Sequence, residues 1–127
     1  MKILITGGKG MLGRTLKRRL ESANSIFVAD LPECDILDSA SLHAAFDAFQ
    51  PDAVLHCAAM VNVDRCESEK ETAFRLNETG SANVAQACKR CGARLIAIST
   101  DYVFDGTAHL PYKEEDAVNP LSVYGST

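Results

Sequence analysis

Apolar residues in this chain follow two alternating rhythms. Four short continuous runs, Lys2–Thr6, Ser25–Ala29, Ala53–Cys57 and Arg94–Ile98, are bounded by turn residues. Runs of that length and composition read as strands buried on both faces, as in a parallel sheet. Between them the apolar positions change to helical spacing: Met11, Leu12, Leu16 and Leu20, then Leu42, Ala45, Phe46 and Phe49. A third set, Ala73, Leu76, Ala82, Val84, Ala85, Ala87 and Cys88, predicts one helix from about Ser68 to Cys91. Asp38 or Ser39 can cap the second helix, and Gly92 stops the third. Asn77 and Gly80 disfavour the helix that contains them, so a hydrogen-bonding duty and a close packing contact are expected there. Met60–Glu67 reads as a loop, and Tyr102–Thr127, with Gly106, Pro111, Pro120 and the acids Glu114, Glu115 and Asp116, is loop-like. The sum is β-α-β-α-β-α-β. With right-handed crossovers it forms a doubly wound parallel sheet, predicted in the order 3-2-1-4 and ending after about the fourth strand.

The junction of the first strand and first helix carries the chemistry. Gly7, Gly10 and Gly13 occupy it. Gly7 can take the turn's backbone angles, Gly10 leaves room for a pyrophosphate, and Gly13 lets the helix pack close to the strand. The helix N-terminus then aims N–H groups and partial positive charge at phosphate. The second strand ends in Asp30, about 20 residues on, where a carboxylate can bind an adenosine ribose hydroxyl. Ala58 and Ala59 follow the third strand, at the sheet end where ligands bind. These features predict that residues 1–127 form a Rossmann-like α/β domain that binds a dinucleotide. Asp30 favours NADH by repelling a 2′-phosphate, while Lys9 and Arg14 can offset it.

Composition narrows the setting. The chain has 127 residues, 46% of them hydrophobic, enough for one domain with a real core. A net charge of −4 argues against nucleic-acid binding, and no apolar run is long enough to span a membrane. Five scattered cysteines suggest a reducing compartment, hence the cytoplasm, rather than a disulfide framework. Cys88 and Cys91 form a C-x-x-C at a helix end, where the dipole disfavours a thiolate. His43, His56 and His109 have no metal-ligand spacing; no metal site is expected, and His56 reads as a core or near-core histidine.

Together with the opening MKILITGGKGMLG, the stretches Ala58–Glu67 (AAMVNVDRCE) and Ser99–Gly106 (STDYVFDG), with Asn77, resemble the extended short-chain dehydrogenase/reductases, most of all the dTDP-4-dehydrorhamnose reductase family. The resemblance runs the length of the chain and implies roles by position. Gly7, Gly10, Met11, Leu12 and Gly13 would form the cofactor loop, with Asp30 at the adenosine ribose and Asp35 and Ile36 by the adenine. Ala58 and Ala59 would line the path to the nicotinamide ribose. Thr100 and Tyr124 would be catalytic, and Val63 and Tyr102 would face the sugar. The implied reaction is hydride transfer from NAD(P)H to the C4 carbonyl of a dTDP-linked 6-deoxyhexulose, giving dTDP-L-rhamnose. A free tyrosine has a pKa of about 10, so proton donation near neutrality needs a cation beside it. The family motif Tyr-x-x-x-Lys begins at Tyr124, which puts its lysine one position past Thr127. The chain is therefore read as the cofactor-binding portion of a longer reductase, expected to bind cofactor without turnover. Val61 stands where the family pattern has a hydroxyl residue, so sugar specificity is not carried over.

Two other readings compete. A similar fold serves as the regulatory subunit of methionine adenosyltransferase, a partner protein, and nucleotide-sugar epimerases share the superfamily. Thr100 with Tyr124 favours an enzyme, and Tyr102–Gly106 favours a reductase. An uncovered fourth strand would leave a sheet edge, so homo-oligomerisation or self-association through that edge is expected.

Overall fold

The four apolar runs pair side by side as parallel strands β1 (Lys2–Thr6), β2 (Ser25–Ala29), β3 (Ala53–His56) and β4 (Arg94–Ala97). A computed structural model describes the chain from Met1 to Thr127. The sheet order is β2-β1-β3-β4, which corrects the predicted 3-2-1-4. After β2 the chain only turns, with Cys34 N–H donating to the Asp30 carbonyl and Asp38 N–H to that of Asp35. It then crosses back to place β3 on the free side of β1, with Ile3 opposite Ala53 and Thr6 opposite His56. Leu4, Ile5 and Thr6 are fully buried between these two neighbours of β1. The reversal of direction between β1 and β3 makes their C-terminal ends the crevice of the sheet.

Helices α1 (Met11–Leu20) and α2 (Ser39–Phe49) follow the predicted patterns. The Asp38 carboxylate caps α2 by accepting from Ala40 N–H at 2.9 Å. The long third helix is corrected. It starts early, as α3 (Val63–Ser68) under an Asn62 cap, so the expected loop at Met60–Glu67 is half helical. It breaks at Glu69 and resumes as α4 (Lys70–Phe74). A π-helical turn spans Arg75–Thr79 before α5 (Gly80–Cys91). Asn77 and Gly80, out of place in a straight helix, occupy the π turn and its exit. The Asn77 side chain is spent on the backbone of Met60, and a Cβ on Gly80 would lie 2.6 Å from Ile36 Cδ1. Gly92, at φ 76°, stops α5 as predicted. The tail is not all loop: a 3₁₀ turn covers Asp101–Val103, and α6 covers Val123–Ser126.

One face of the sheet packs Leu4 and Val54 on Leu42 and Phe46 of α2 and on Val84, Ala87 and Cys88 of α5. Helix α1 covers β1 and β2 on the other face, where Ile3 and Ile5 are buried. That face stays open over β4, and Ile96 is 46% exposed. A smaller core joins Met60, Cys66 and Ala73 to Leu76, Val123 and Tyr124.

One of the tightest approaches in the fold is the entry to α1. A Cβ on Gly13 would lie 2.4 Å from the Gly7 carbonyl oxygen and 2.5 Å from Gly8 Cα, both backbone atoms that cannot swing aside. Gly13→Ala is therefore expected to destabilise the chain by about 1–3 kcal/mol despite the better helix propensity of alanine. A urea unfolding midpoint equal to that of the unaltered chain would contradict this packing.

Candidate functional site

The cleft forms where β1 and β3 end, and five segments line it, the π turn with the start of α5 being one. The glycine turn supplies Gly7, Gly10, Met11, Leu12 and Gly13, and the segment after β3 supplies Cys57, Ala58, Ala59 and Val61. The strand-four end gives Ile98, Ser99 and Thr100, and α6 gives Tyr124 and Gly125. The cavity measures about 560 Å³, and none of its lining side chains carries a formal charge.

The glycine turn is held by backbone contact. Gly7 has φ +63°, and a Cβ there would lie 2.7 Å from Ala58 N and Cα, so only glycine lets the turn touch the β3 segment. Its carbonyl accepts Gly10 N–H at 3.0 Å, and Gly10 N-caps α1 with no side-chain hydrogen bond. The amide N–H groups of Met11, Leu12 and Gly13 have no acceptor in the protein, and the first turn of α1 has no acidic residue. Free donors and an unopposed dipole at a glycine-walled cleft suit a phosphate. Met11 and Leu12 line the cleft, with Met11 83% exposed, so their helical apolar spacing does not mark a core face.

Asp30 ends β2 beside this turn. Its carboxylate accepts Lys9 N–H at 2.9 Å and Leu31 N–H at 2.9 Å, which fixes it against the glycine loop. The Lys9 ammonium donates to the Leu31 carbonyl and pairs with Glu33 at 2.9 Å; that hydrogen bond holds the Glu33 carboxyl below its usual range. Asp35 accepts from Leu37 N–H, and the Ile36 side chain is buried in the main core, with its carbonyl accepting from Asn83. Asp30, Asp35 and Ile36 therefore lie outside the cleft wall, on the flank past β2.

The opposite wall is assembled from distant parts of the chain. Tyr124 packs on the smaller core. Helix α6, which carries it, is anchored by Glu67, whose carboxylate accepts Val123 N–H at 2.7 Å, and by Ser122, which caps Gly125 N–H. A Cβ on Gly125 would lie 2.2 Å from the Tyr102 carbonyl oxygen, so α6 rests directly on the 3₁₀ turn. The Tyr102 and Tyr124 rings meet edge to face at 5.6 Å. Thr100 caps the 3₁₀ turn by accepting Tyr102 N–H, and its hydroxyl donates to Asp101. Thr100 and Tyr124 share the cleft with the glycine turn, whereas Tyr102 lines a shallower depression next to it and Val63 opens α3 behind the wall. Sequence reasoning passed over His56, Asn77 and Ser81 as cleft residues. His56 had a signal, the last position of β3 at the ligand end of the sheet; Ser81 had one only through its i,i+4 spacing from Asn77.

Cys88 and Cys91 stay clear of the cleft. Burial pushes the Cys88 thiol up to about 11, so neither geometry nor acidity suits a reactive pair. No cluster of His, Cys, Asp or Glu can hold a metal.

The RmlD substrate binding domain model matches residues 1–127. The chain belongs to that family. The resemblance seen in the sequence is thus confirmed at family level. The domain is 41% identical to the dTDP-4-dehydrorhamnose reductase of Streptomyces griseus over 98% of this chain and 41% of that one. It is 40% identical to methionine adenosyltransferase 2 subunit beta of Rattus norvegicus over 99% of this chain and 40% of that one. Among solved structures, the Bacillus anthracis dTDP-4-dehydrorhamnose reductase in complex with NADP superposes with TM-score 0.95 at 35% identity, covering 98% of this chain and 45% of that one. The Brucella ovis UDP-glucose 4-epimerase in complex with NAD gives TM-score 0.91 at 27% identity, covering 98% and 43%. The RmlD domain described here spans under half the length of the curated relatives it matches. No helix in it is long and apolar enough to cross a membrane.

The segment next to Thr100 is stabilised by one carboxylate. Asp105 accepts Thr107 N–H at 3.0 Å, Asn119 Nδ2–H at 3.0 Å, the Thr107 hydroxyl at 2.8 Å and the Tyr112 hydroxyl at 2.8 Å. These bonds, the Thr107 amide first, hold its carboxyl far below the ordinary 3.8. A depressed folded-state pKa means stability present above the unfolded value and lost as pH falls through the folded one. The unfolding midpoint is expected to decline below about pH 4. Asp105→Asn should be less stable at neutral pH and should lose less on acidification; equal acid slopes for the two proteins would refute this.

Proposed function

We propose that this chain is the NAD(P)H-binding portion of a nucleotide-sugar reductase that reduces dTDP-4-dehydrorhamnose to dTDP-L-rhamnose. One observation carries the reading: Thr100 and Tyr124 share a single cleft with an uncapped helix N-terminus walled by Gly7, Gly10 and Gly13. The relatives named dTDP-4-dehydrorhamnose reductase and the NADP and NAD complexes of similar structures support it. The fit to a dinucleotide is local and physical. Met11, Leu12 and Gly13 would donate to the pyrophosphate, and Asp30 would accept from the adenosine ribose. Asp35 and the backbone at Ile36 would lie toward the adenine, with Ala58 and Ala59 along the path to the nicotinamide ribose. When bound, the reduced cofactor supplies a hydride.

The chain's own residues would do the rest. Thr100, held at the end of β4 by its cap on the 3₁₀ turn, would turn its hydroxyl proton from Asp101 to the substrate carbonyl. That bond strengthens as negative charge develops on the oxygen. Tyr124 would give the alkoxide its proton, and a lysine four residues on would hold the phenol acidic enough to do so. Without that cation the 127-residue chain is expected to bind cofactor and not to turn over. Val63 and Tyr102 would meet the sugar. The exposed β4 edge is the surface through which self-association would run.

A second reading, a dinucleotide-binding partner module, draws support from the 40% identity to methionine adenosyltransferase 2 subunit beta. An epimerase of similar fold is a third. The pairing of Thr100 with Tyr124 favours the reductase, because a partner module has no use for a hydroxyl and a phenol in one cleft.

NADH binding followed by cofactor fluorescence tests the site, and the chain's lack of tryptophan leaves that signal clear. Saturable binding that Gly10→Val abolishes, with cooperative unfolding retained, is the expected result; no binding by the folded unaltered chain would reject the reading. Cofactor preference follows from Asp30. With Lys9 committed to Leu31 and Glu33, Arg14 alone of the two nearby cations is left to offset the repulsion of a 2′-phosphate, so NADH should bind at least as tightly as NADPH. Asp30→Ala should shift the affinity ratio toward NADPH, by about 10-fold if roughly 1.4 kcal/mol of repulsion is removed. An unchanged ratio would remove Asp30 from the site.

A further inference from the structure

Beneath the cleft lies a line of hydrogen bonds through a buried histidine. Thr6 Oγ1 and His56 Nδ1 are 2.6 Å apart, and His56 Nε2 and Ser81 Oγ are 2.9 Å apart. The Ser81 hydroxyl also hydrogen-bonds the Asn77 carbonyl. A carbonyl only accepts, so the single Ser81 proton is committed to Asn77. Ser81 must then accept from His56, which places the imidazole proton on Nε2. Nδ1 is left as an acceptor for the Thr6 hydroxyl. Every direction in the line follows from that one carbonyl.

Both ends of the line grip the same stretch of cleft wall. Thr6 Oγ1 accepts Ala58 N–H at 3.4 Å. The Asn77 side chain accepts Met60 N–H at 2.7 Å and donates to the Met60 carbonyl at 3.1 Å. We propose that Thr6, His56, Ser81 and Asn77 form one directional chain that sets the Ala58–Met60 wall, with His56, as its neutral Nε2–H tautomer, the positioning residue for cofactor binding. The functional half of this proposal rests on the cleft being a dinucleotide site.

The surroundings keep the ring neutral. In the sheet His56 is flanked by Thr6 of β1 and Ala97 of β4, and Ser81 of α5 and the π turn at Asn77 close over it. None of these is ionisable. The adjacent Cys57 thiol is pushed up by burial and is also neutral. Burial alone lowers the His56 pKa below 6.5. A lowered folded-state value means the arrangement is intact above about 6.5 and lost as pH falls through the lower folded value. Protonation puts a second N–H on Nδ1, facing the Thr6 hydroxyl. That hydroxyl must turn its own proton elsewhere, and its hold on Ala58 changes.

The test uses the whole 127-residue chain. Nitrogen-15 correlation spectra of the imidazoles at neutral pH should show His56 protonated at Nε2 and bare at Nδ1; protonation at Nδ1 would overturn the proposal. Ser81→Ala removes the acceptor and is expected to move the Ala58 and Met60 amide resonances and to weaken NADH binding about 2- to 10-fold. NADH affinity of the unaltered chain should fall as His56 titrates, and His56→Gln, which keeps a donor for Ser81 but cannot take a proton, should flatten that profile. If His56→Gln does not fold, Thr6→Val, which empties Nδ1 of its partner, takes its place and should raise the pH at which affinity is lost. Unmoved Ala58 and Met60 amides in Ser81→Ala, or an unaltered pH profile in the folded variant, would overturn it. Should the unaltered chain bind no NADH at all, the cofactor reading falls on its own, and the Ala58 and Met60 amides still decide whether the chain of bonds sets the wall.

Discussion

The structure turns on a contact between two stretches of backbone. Gly7 lies so close to Ala58 that any side chain would strike main-chain atoms at 2.7 Å, and Gly13 lies equally close to Gly7. These approaches bring the start of α1 down onto the ends of β1 and β3. They leave three amide N–H groups facing the cleft with nothing else to bond. The strand order serves the same contact, because β3 must lie beside β1 for Ala58 to reach the glycine turn. A sheet in the order 3-2-1-4 would have set β2 between them. The crossover that defeated the predicted order is the one that makes the site.

What could be read from the sequence was local. The glycine turn, the α2 cap at Asp38, the stop at Gly92 and the four apolar runs are each set by a few adjacent residues, and each takes its expected form. Gathering Thr100 and Tyr124 at the cleft depends on contacts that no spacing reveals: Glu67 with Val123, Asn77 with Thr127, Gly125 on Tyr102. The sheet order is also a long-range property, since continuous apolar runs do not say which neighbour they choose. The helix expected from Ser68 to Cys91 failed for a different reason. Its apolar spacing is helical throughout, but the Asn77 side chain is spent on the Met60 backbone rather than on solvent. A tertiary hydrogen bond outweighed the regular turn, and a π segment resulted.

Asn77 links the two walls of the cleft. Its side chain holds Met60 behind the cofactor side and donates to Thr127, the residue that caps the helix carrying Tyr124. The smaller core of Met60, Cys66 and Ala73 packs against the same two parts, Leu76 beside Asn77 and Val123 with Tyr124. Apolar packing thus sets the distance between the walls, and the amide sets their register. Neither alone would suffice, because packing is non-directional and a lone amide is a weak constraint on two separate segments.

Charge gives the final argument about what such a cleft is for. The protein carries a net charge of −4, yet no side chain lining the cleft is charged, and its acids and bases are spent elsewhere. Lys9 is turned along its own loop to Glu33, Asp105 gathers four donors away from the cleft, and Arg90 pairs with Asp47 across the outer helices. A polyanionic ligand entering here would meet only oriented dipoles, the uncapped end of α1 first among them. In a charge-free apolar setting such dipoles act through a lower effective dielectric than at the surface, so a few fixed N–H groups go further. The same emptiness leaves the Tyr124 phenol with no cation of this chain beside it.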